Sequence, residues 1–198
     1  SWLFDWPIWA DGAVFLVVSI LLLVLVRPAL KRRLTSGKGM LDPVKALEGA
    51  EIVVLAVPSQ QLRSNLESWS EHVPDDAVMV SLMKGVELGT HKRMSEVIAE
   101  ITGAGPERIA VVSGPNLAKE IANREPAASV VACADQAVAE RIQKACHTAA
   151  FRPYSMTDVV GCELAGTAKN IIGLAVGVCV GLGYGDNTKA SVITRGLA

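Results

Sequence analysis

Aromatic residues are scarce, 5% of the 198 residues, and neither sign of charge prevails, with 19 Lys and Arg against 20 Asp and Glu. With few stacking platforms and no bulk positive field, a nucleic-acid partner is excluded. The four cysteines, Cys133, Cys146, Cys162 and Cys179, form no C-x-x-C pair and share no metal-ligand spacing with His72, His91 or His147. Neither a bound metal nor a disulfide framework is therefore expected, and reduced, buried thiols in a cytosolic setting fit the pattern.

What is abundant is aliphatic sequence, and it is concentrated first at the N-terminus. Gly12 to Val26 is fifteen residues containing twelve Val, Leu, Ile or Phe. At 1.5 Å per residue that covers about 22 Å of a hydrocarbon layer about 30 Å thick, and extending back to Trp6 lengthens it at the cost of including Asp11. Trp2, Trp6 and Trp9 can form an aromatic belt. Arg27, Lys31, Arg32, Arg33 and Lys38 follow, with no acid between Gly12 and Leu41, which places the C-terminal side in the cytoplasm. A membrane-type helix over residues 6–26 is the expectation, with a buried core helix as the alternative. A cleaved signal peptide fits poorly, because the basic residues follow the apolar run.

Residues 36–44, "TSGKGMLDP", read as a linker. The expected organisation is a membrane segment and basic linker over 1–40, an incomplete dinucleotide-type domain over 41–152, and the start of a helical substrate domain over 153–198. Strand-like runs at 50–59, 77–85, 108–116 and 127–134 alternate with helical stretches at 60–72 and 89–103. Near-continuous apolar strands alternating with helices predict an α/β fold: a partial doubly wound, Rossmann-like parallel sheet followed by the start of an all-α domain. In such sheets ligands bind at the carboxyl ends of the strands.

Three strand exits carry polar residues: Pro58-Ser59-Gln60, Lys84-Gly85 and Ser113-Gly114-Pro115-Asn116. Lys84 can project a cation into the crevice, or lie solvated on the surface. The Ser-Gly-Pro-Asn segment is equally what turn chemistry alone would select. Further on, Lys169 is the one charge between Glu163 and Asp186. In a helix its neighbours three and four positions away are Ala165, Gly166, Ile172 and Gly173, which leave room for a ligand or another backbone. Gly173, Gly177 and Gly181 make a small-residue stripe suited to tight helix packing. A lysine enclosed by apolar surface there would have its charged form disfavoured, as proton transfer near neutral pH requires. On spacing alone a core helix whose lysine snorkels from one end is the favoured reading, and a second membrane span is the other.

Taken together, "IVVLAVPSQQLR", "SLMKGVE", "SGPNLAKEIA" and "ELAGTAKNIIGLAVGVCVGLGYGDNTKASVITRGLA" resemble the bacterial NAD(P)-dependent glycerol-3-phosphate dehydrogenases, over roughly residues 44–198. The resemblance implies that Lys169 gives and takes the proton at the substrate's C2 oxygen and that Lys84 contacts substrate and cofactor. It also implies substrate contacts from Gly114 and Asn116 and a cofactor contact from Ala118. The cofactor would be NAD or NADP, and the phosphorylated substrate dihydroxyacetone phosphate, reduced to sn-glycerol 3-phosphate for phospholipid synthesis. Self-association is expected from the apolar surface that a partial helical domain leaves open.

The glycine fingerprint of such enzymes is not found. "GKGMLD" (37–42), "GAGPER" (103–108) and "GLGYGD" (181–186) lack its third glycine or alanine and do not join a strand to a helix in the required place. The N-terminal "FLVVSILLLVLVRPALKRRL" faintly resembles the last membrane helix of nodulation-efficiency-type bacterial membrane proteins. A gene fusion, a sequence join or a partial chain would each give this arrangement. Two functions follow: an oxidoreductase with impaired activity, or a catalytically inactive membrane-anchored binding protein.

Overall fold

A computed structural model describes residues 42–198. The membrane segment and basic linker expected over 1–40 lie outside the described residues. The chain enters through α1 (Pro43–Leu47), whose first turn is fixed by Pro43 and by the Asp42 carboxylate accepting from the Val44 amide at 3.1 Å. Strand β1 (Ile52–Leu55) leads through a 3₁₀ turn at Ser59–Gln61 into α2 (Leu62–Trp69). Then come β2 (Val78–Ser81), α3 (Met94–Thr102), β3 (Ile109–Ser113) and α4 (Ala118–Ala122). Strand β4 (Ala127–Cys133), α5 (Gln136–Cys146), β5 (Phe151–Met156), α6 (Val159–Gly181) and α7 (Asp186–Leu197) complete the order.

The five strands form one sheet in sequential order. β1, β2 and β3 are parallel, β4 runs antiparallel to β3, and β5 is parallel to β4. The four runs expected from sequence are strands, and the sheet is mixed but dominated by parallel pairs. Its one antiparallel pair follows from the connection: between β3 and β4 the chain forms only the five-residue α4, whereas α2, α3 and α5 serve as crossover helices. The fifth strand went unread in the sequence because Pro153 lies inside it. Proline is tolerated there because β5 is an edge strand, hydrogen-bonded to β4 alone.

Side-chain alternation assigns the layers. Along β3, Ile109 packs with the α2 and α3 side chains Leu62, Leu66, Met94 and Ile98. Its neighbour Ala110 points to the opposite face with Ala139 and Ile142 of α5. Val111 returns to the first face and meets Cys162 of α6. Helices α2, α3 and α6 thus share one face of the sheet, which makes α3 and α6 neighbours above the strand exits. All four cysteines are free, with Cys133, Cys162 and Cys179 buried.

By length and composition α6 could cross a membrane, with 23 residues and a mean hydropathy of 1.5 over its most apolar window. Its first turns are nevertheless committed to the sheet through Cys162 and Gly166. The glycine stripe suited to tight packing faces open space: among the described residues a Cβ added at Gly173, Gly177 or Gly181 would meet nothing within 4 Å. The close approach occurs one turn earlier, at Gly166.

Candidate active site

The exits of β1, β2 and β3 lie side by side. Gly85 follows Lys84 in the left-handed region at φ +122°, and a Cβ there would stand 3.4 Å from Ser59 Oγ. Glycine lets the chain turn away while the Lys84 side chain reaches across to β3. Lys84 Nζ donates to the Gly114 carbonyl at 2.7 Å. Gly114 is itself hemmed in, since a Cβ would come within 2.8 Å of the Ala128 carbonyl oxygen and of Ser129 Oγ. Helix α6 closes the crevice from the side. A Cβ on Gly166 would stand 2.8 Å from Ser113 Oγ and 3.8 Å from Lys84 Cγ.

The missing side chain at 166 brings Lys169 to Lys84. Lys84 is half-buried and held below the ordinary lysine range, first by burial and then by the ammonium of Lys169. Of the two lysines, Lys169 is exposed, as a snorkelling side chain would be, and the desolvation falls on Lys84. The reason is that Lys169 lies about a turn beyond the last sheet contact of α6, at Gly166, where the described residues leave the helix open. Burial also pushes the Cys162 thiol up, to about 11, with the nearby charge of Glu163 adding to it.

Of the other residues expected in the site, Gly114 joins the lysine pair directly. Asn116 sits two residues beyond, its amide nitrogen bonded to Ser129 Oγ of β4. Its buried Oδ1 has no partner among the described residues, an unsatisfied acceptor beside the β3 exit that a ligand donor would complete. Ala118 opens the short α4, and no described hydrogen bond ties that helix to the lysines.

Sequence reasoning missed one cluster at this site. Glu163, at 7% exposure, accepts from Ser95 N at 2.9 Å, from Ser95 Oγ at 2.5 Å and from Arg93 Nη1 at 2.8 Å. Two signals pointed to it. Glu163 is an acid within an otherwise apolar helix, and α3 begins at Arg93-Met94 with no Ser, Thr, Asp or Asn to cap it.

The family model described as the NAD-dependent glycerol-3-phosphate dehydrogenase N-terminus matches residues 35–139, and the corresponding C-terminus model matches residues 158–198. The chain belongs to the NAD-dependent glycerol-3-phosphate dehydrogenase family. It is 64% identical over 163 residues to a glycerol-3-phosphate dehydrogenase [NAD(P)+] of Streptomyces griseus, covering 82% of this chain and 48% of that relative. To the Corynebacterium glutamicum counterpart it is 62% identical over 154 residues, 78% of this chain and 46% of the relative. Among solved structures, a glycerol-3-phosphate dehydrogenase of Coxiella burnetii superimposes with a TM-score of 0.72 at 32% identity, over 81% of this chain and 48% of that one. A Plasmodium falciparum glycerol-3-phosphate dehydrogenase gives 0.73 at 26% identity, over 78% and 43%. The chain therefore spans about half the length of the curated family members it matches.

The described residues fit one end of the dinucleotide and not the other. Lys84, fixed on the Gly114 carbonyl, would suit the reacting end. A pyrophosphate needs free amides at a helix start, preferably after a glycine turn. The α5 start is occupied by the Asp135 carboxylate and the α6 start by that of Asp158, and the β1 exit, Pro58-Ser59-Gln60, has no glycine. The starts of α5 and α6 are thus capped by carboxylates and not open to a pyrophosphate.

Proposed function

We propose that residues 42–198 carry the reaction centre of an NAD(P)-dependent sn-glycerol-3-phosphate dehydrogenase acting on dihydroxyacetone phosphate in the cytoplasm. The observation that carries this reading is the lysine pair: Lys84, just beyond β2, and Lys169 of α6 meet at the strand ends, and among the described residues no salt bridge is formed by the exposed Lys169. When bound, the nicotinamide cofactor supplies the hydride. The protein's residues handle oxygen and proton. Lys84, anchored on the Gly114 carbonyl, is a fixed positive charge, and Lys169 is the proton donor to the C2 oxygen as that oxygen gains negative charge.

Mutual repulsion between the ammonium groups is relieved most when an anionic oxygen lies between them. The pair therefore favours the transition state over the neutral carbonyl, which is the condition for rate acceleration. Asn116 and Gly114 hold the substrate at the β3 exit, and Ala118 lies on the cofactor side. Self-association through the exposed apolar side of α6, and membrane attachment through residues 6–26, belong to the same reading. No observation on residues 42–198 favours the inactive binding protein.

The test is a chimera joining residues 42–198 to the remaining segments of the Streptomyces griseus relative. It should consume NADH or NADPH in the presence of dihydroxyacetone phosphate. A folded chimera without that activity would overturn the proposal.

A further inference from the structure

We propose that Glu163 is a positioning residue, whose buried carboxylate, gripped by Ser95 and Arg93, locks α6 in the rotation that sets Lys169 opposite Lys84. The inference rests on the reading of the two lysines as the reaction centre.

Three contacts define the lock. The Ser95 amide and hydroxyl donate to Glu163 at 2.9 and 2.5 Å, and Arg93 Nη1 donates at 2.8 Å. Helix α3 has Arg93 at its N-cap, a side chain that cannot accept from the first-turn amides, so the carboxylate of Glu163, 68 residues away in sequence, satisfies the Ser95 amide instead. Helix α6 is thereby keyed to the start of α3 at one azimuth. At about 100° per residue, Gly166 lies about 60° round from Glu163 and Lys169 about 120° round in the same sense. With Glu163 fixed on α3, Gly166 turns onto Ser113 and Lys169 comes round to the Lys84 side.

Cys162 and Gly166 turn the same side of α6 to the sheet, and Glu163 adds the directional polar contact, whereas Leu164, Ile171, Leu174 and Val178 are exposed and select no rotation. The same Arg93 also fixes the other lysine. Its backbone pairs with Val86, two residues after Lys84, and Glu87 N donates to the Lys92 carbonyl at 2.8 Å within the loop so closed. One arginine thus anchors both the loop that follows Lys84 and the helix that carries Lys169.

The experiment uses the 198-residue chain with its lysines ¹³C-dimethylated, and follows the Lys84 resonance through a pH titration. Lys169 and Cys162 are the titratable groups that act on Lys84 there. In the wild type, Lys169→Met should move the Lys84 midpoint up towards the ordinary lysine value. In the Glu163→Gln background, adding Lys169→Met should move it by less than half as much, because the two lysines no longer face each other. A folded Glu163→Gln protein that keeps the full Lys169→Met effect overturns the inference and leaves the lysine pair standing. No Lys169→Met effect in the wild type overturns both. Should Glu163→Gln unfold, Ser95→Ala decides, since it removes one contact and keeps the Arg93 pair. A partial loss of the Lys169→Met effect supports the lock, and full retention overturns it.

Discussion

Gly114 and Gly173 carry the same residue for opposite reasons. At Gly114 a Cβ would press on the Ala128 carbonyl at 2.8 Å and on Ser129 Cα at 3.0 Å, both of them backbone atoms of β4 that cannot rotate aside. Gly114→Ala should cost about 1–3 kcal/mol, as overpacking does. At Gly173 there is nothing within 4 Å, so Gly173→Ala gains helix propensity without a clash, about 0.5–1 kcal/mol. Thermal unfolding should show melting temperatures moving in opposite directions, down for Gly114→Ala and up for Gly173→Ala. A shared direction would contradict the assigned contacts. Lys169 could be found from sequence because a lone charge in a small-residue helix stands out. The contact that places it could not. Gly166 differs from Gly173 only by what lies opposite, and Glu163 takes its meaning from Ser95 and Arg93, far upstream.

At the scale of elements, the segment after Lys84 is held by charge as well as by backbone. Arg63 of α2 donates to Glu87 of the loop at 2.8 Å and to Glu100 of α3 at 3.1 Å, and Lys92 donates to Glu100 at 2.7 Å. These partners hold Glu87 below the ordinary carboxylate range and bring Glu100 down from 4.5 to about 2. Between those two values the unfolded chain binds more protons than the folded one. Stability contributed by the network is therefore complete above about pH 4.5 and is lost as pH falls towards 2. Arg63→Ala should flatten the decline of stability with acid across this window in urea titrations at a series of pH values. An unchanged slope would show the pairs to be too solvent-screened to matter. Strands β1 to β4 were legible because their apolar runs are short and end in turn residues. β5 was hidden by Pro153, and α3 was placed five residues early, at Gly89, because its N-cap is an arginine and part of its cap, the acceptor for the Ser95 amide, comes from α6.

Across the described residues, the paired lysines lie beside an open apolar helix, and the starts of α5 and α6 are capped by carboxylates rather than open to a pyrophosphate. Two outcomes follow for the 198-residue chain. NADH affinity measured by calorimetry should be no better than roughly millimolar, about −4 kcal/mol, because only the lysine crevice contributes; micromolar binding would mean that other residues supply the cradle. Exposed Ile171, Leu174, Val178 and Val180 should drive self-association of residues 42–198. Sedimentation should detect it, and the paired change Leu174→Glu with Val178→Glu should abolish it. The central claim, that Lys84 and Lys169 form the reaction centre, is tested most directly by steady-state kinetics of the chimera. Lys169→Met should lower kcat by roughly 10²-fold or more, the range of lost general acid–base catalysis, and Lys84→Ala should lower kcat and raise KM together. A Lys169→Met enzyme that turns over within about threefold of the unsubstituted chimera would contradict the account and leave Lys169 a solvated residue on the side of α6.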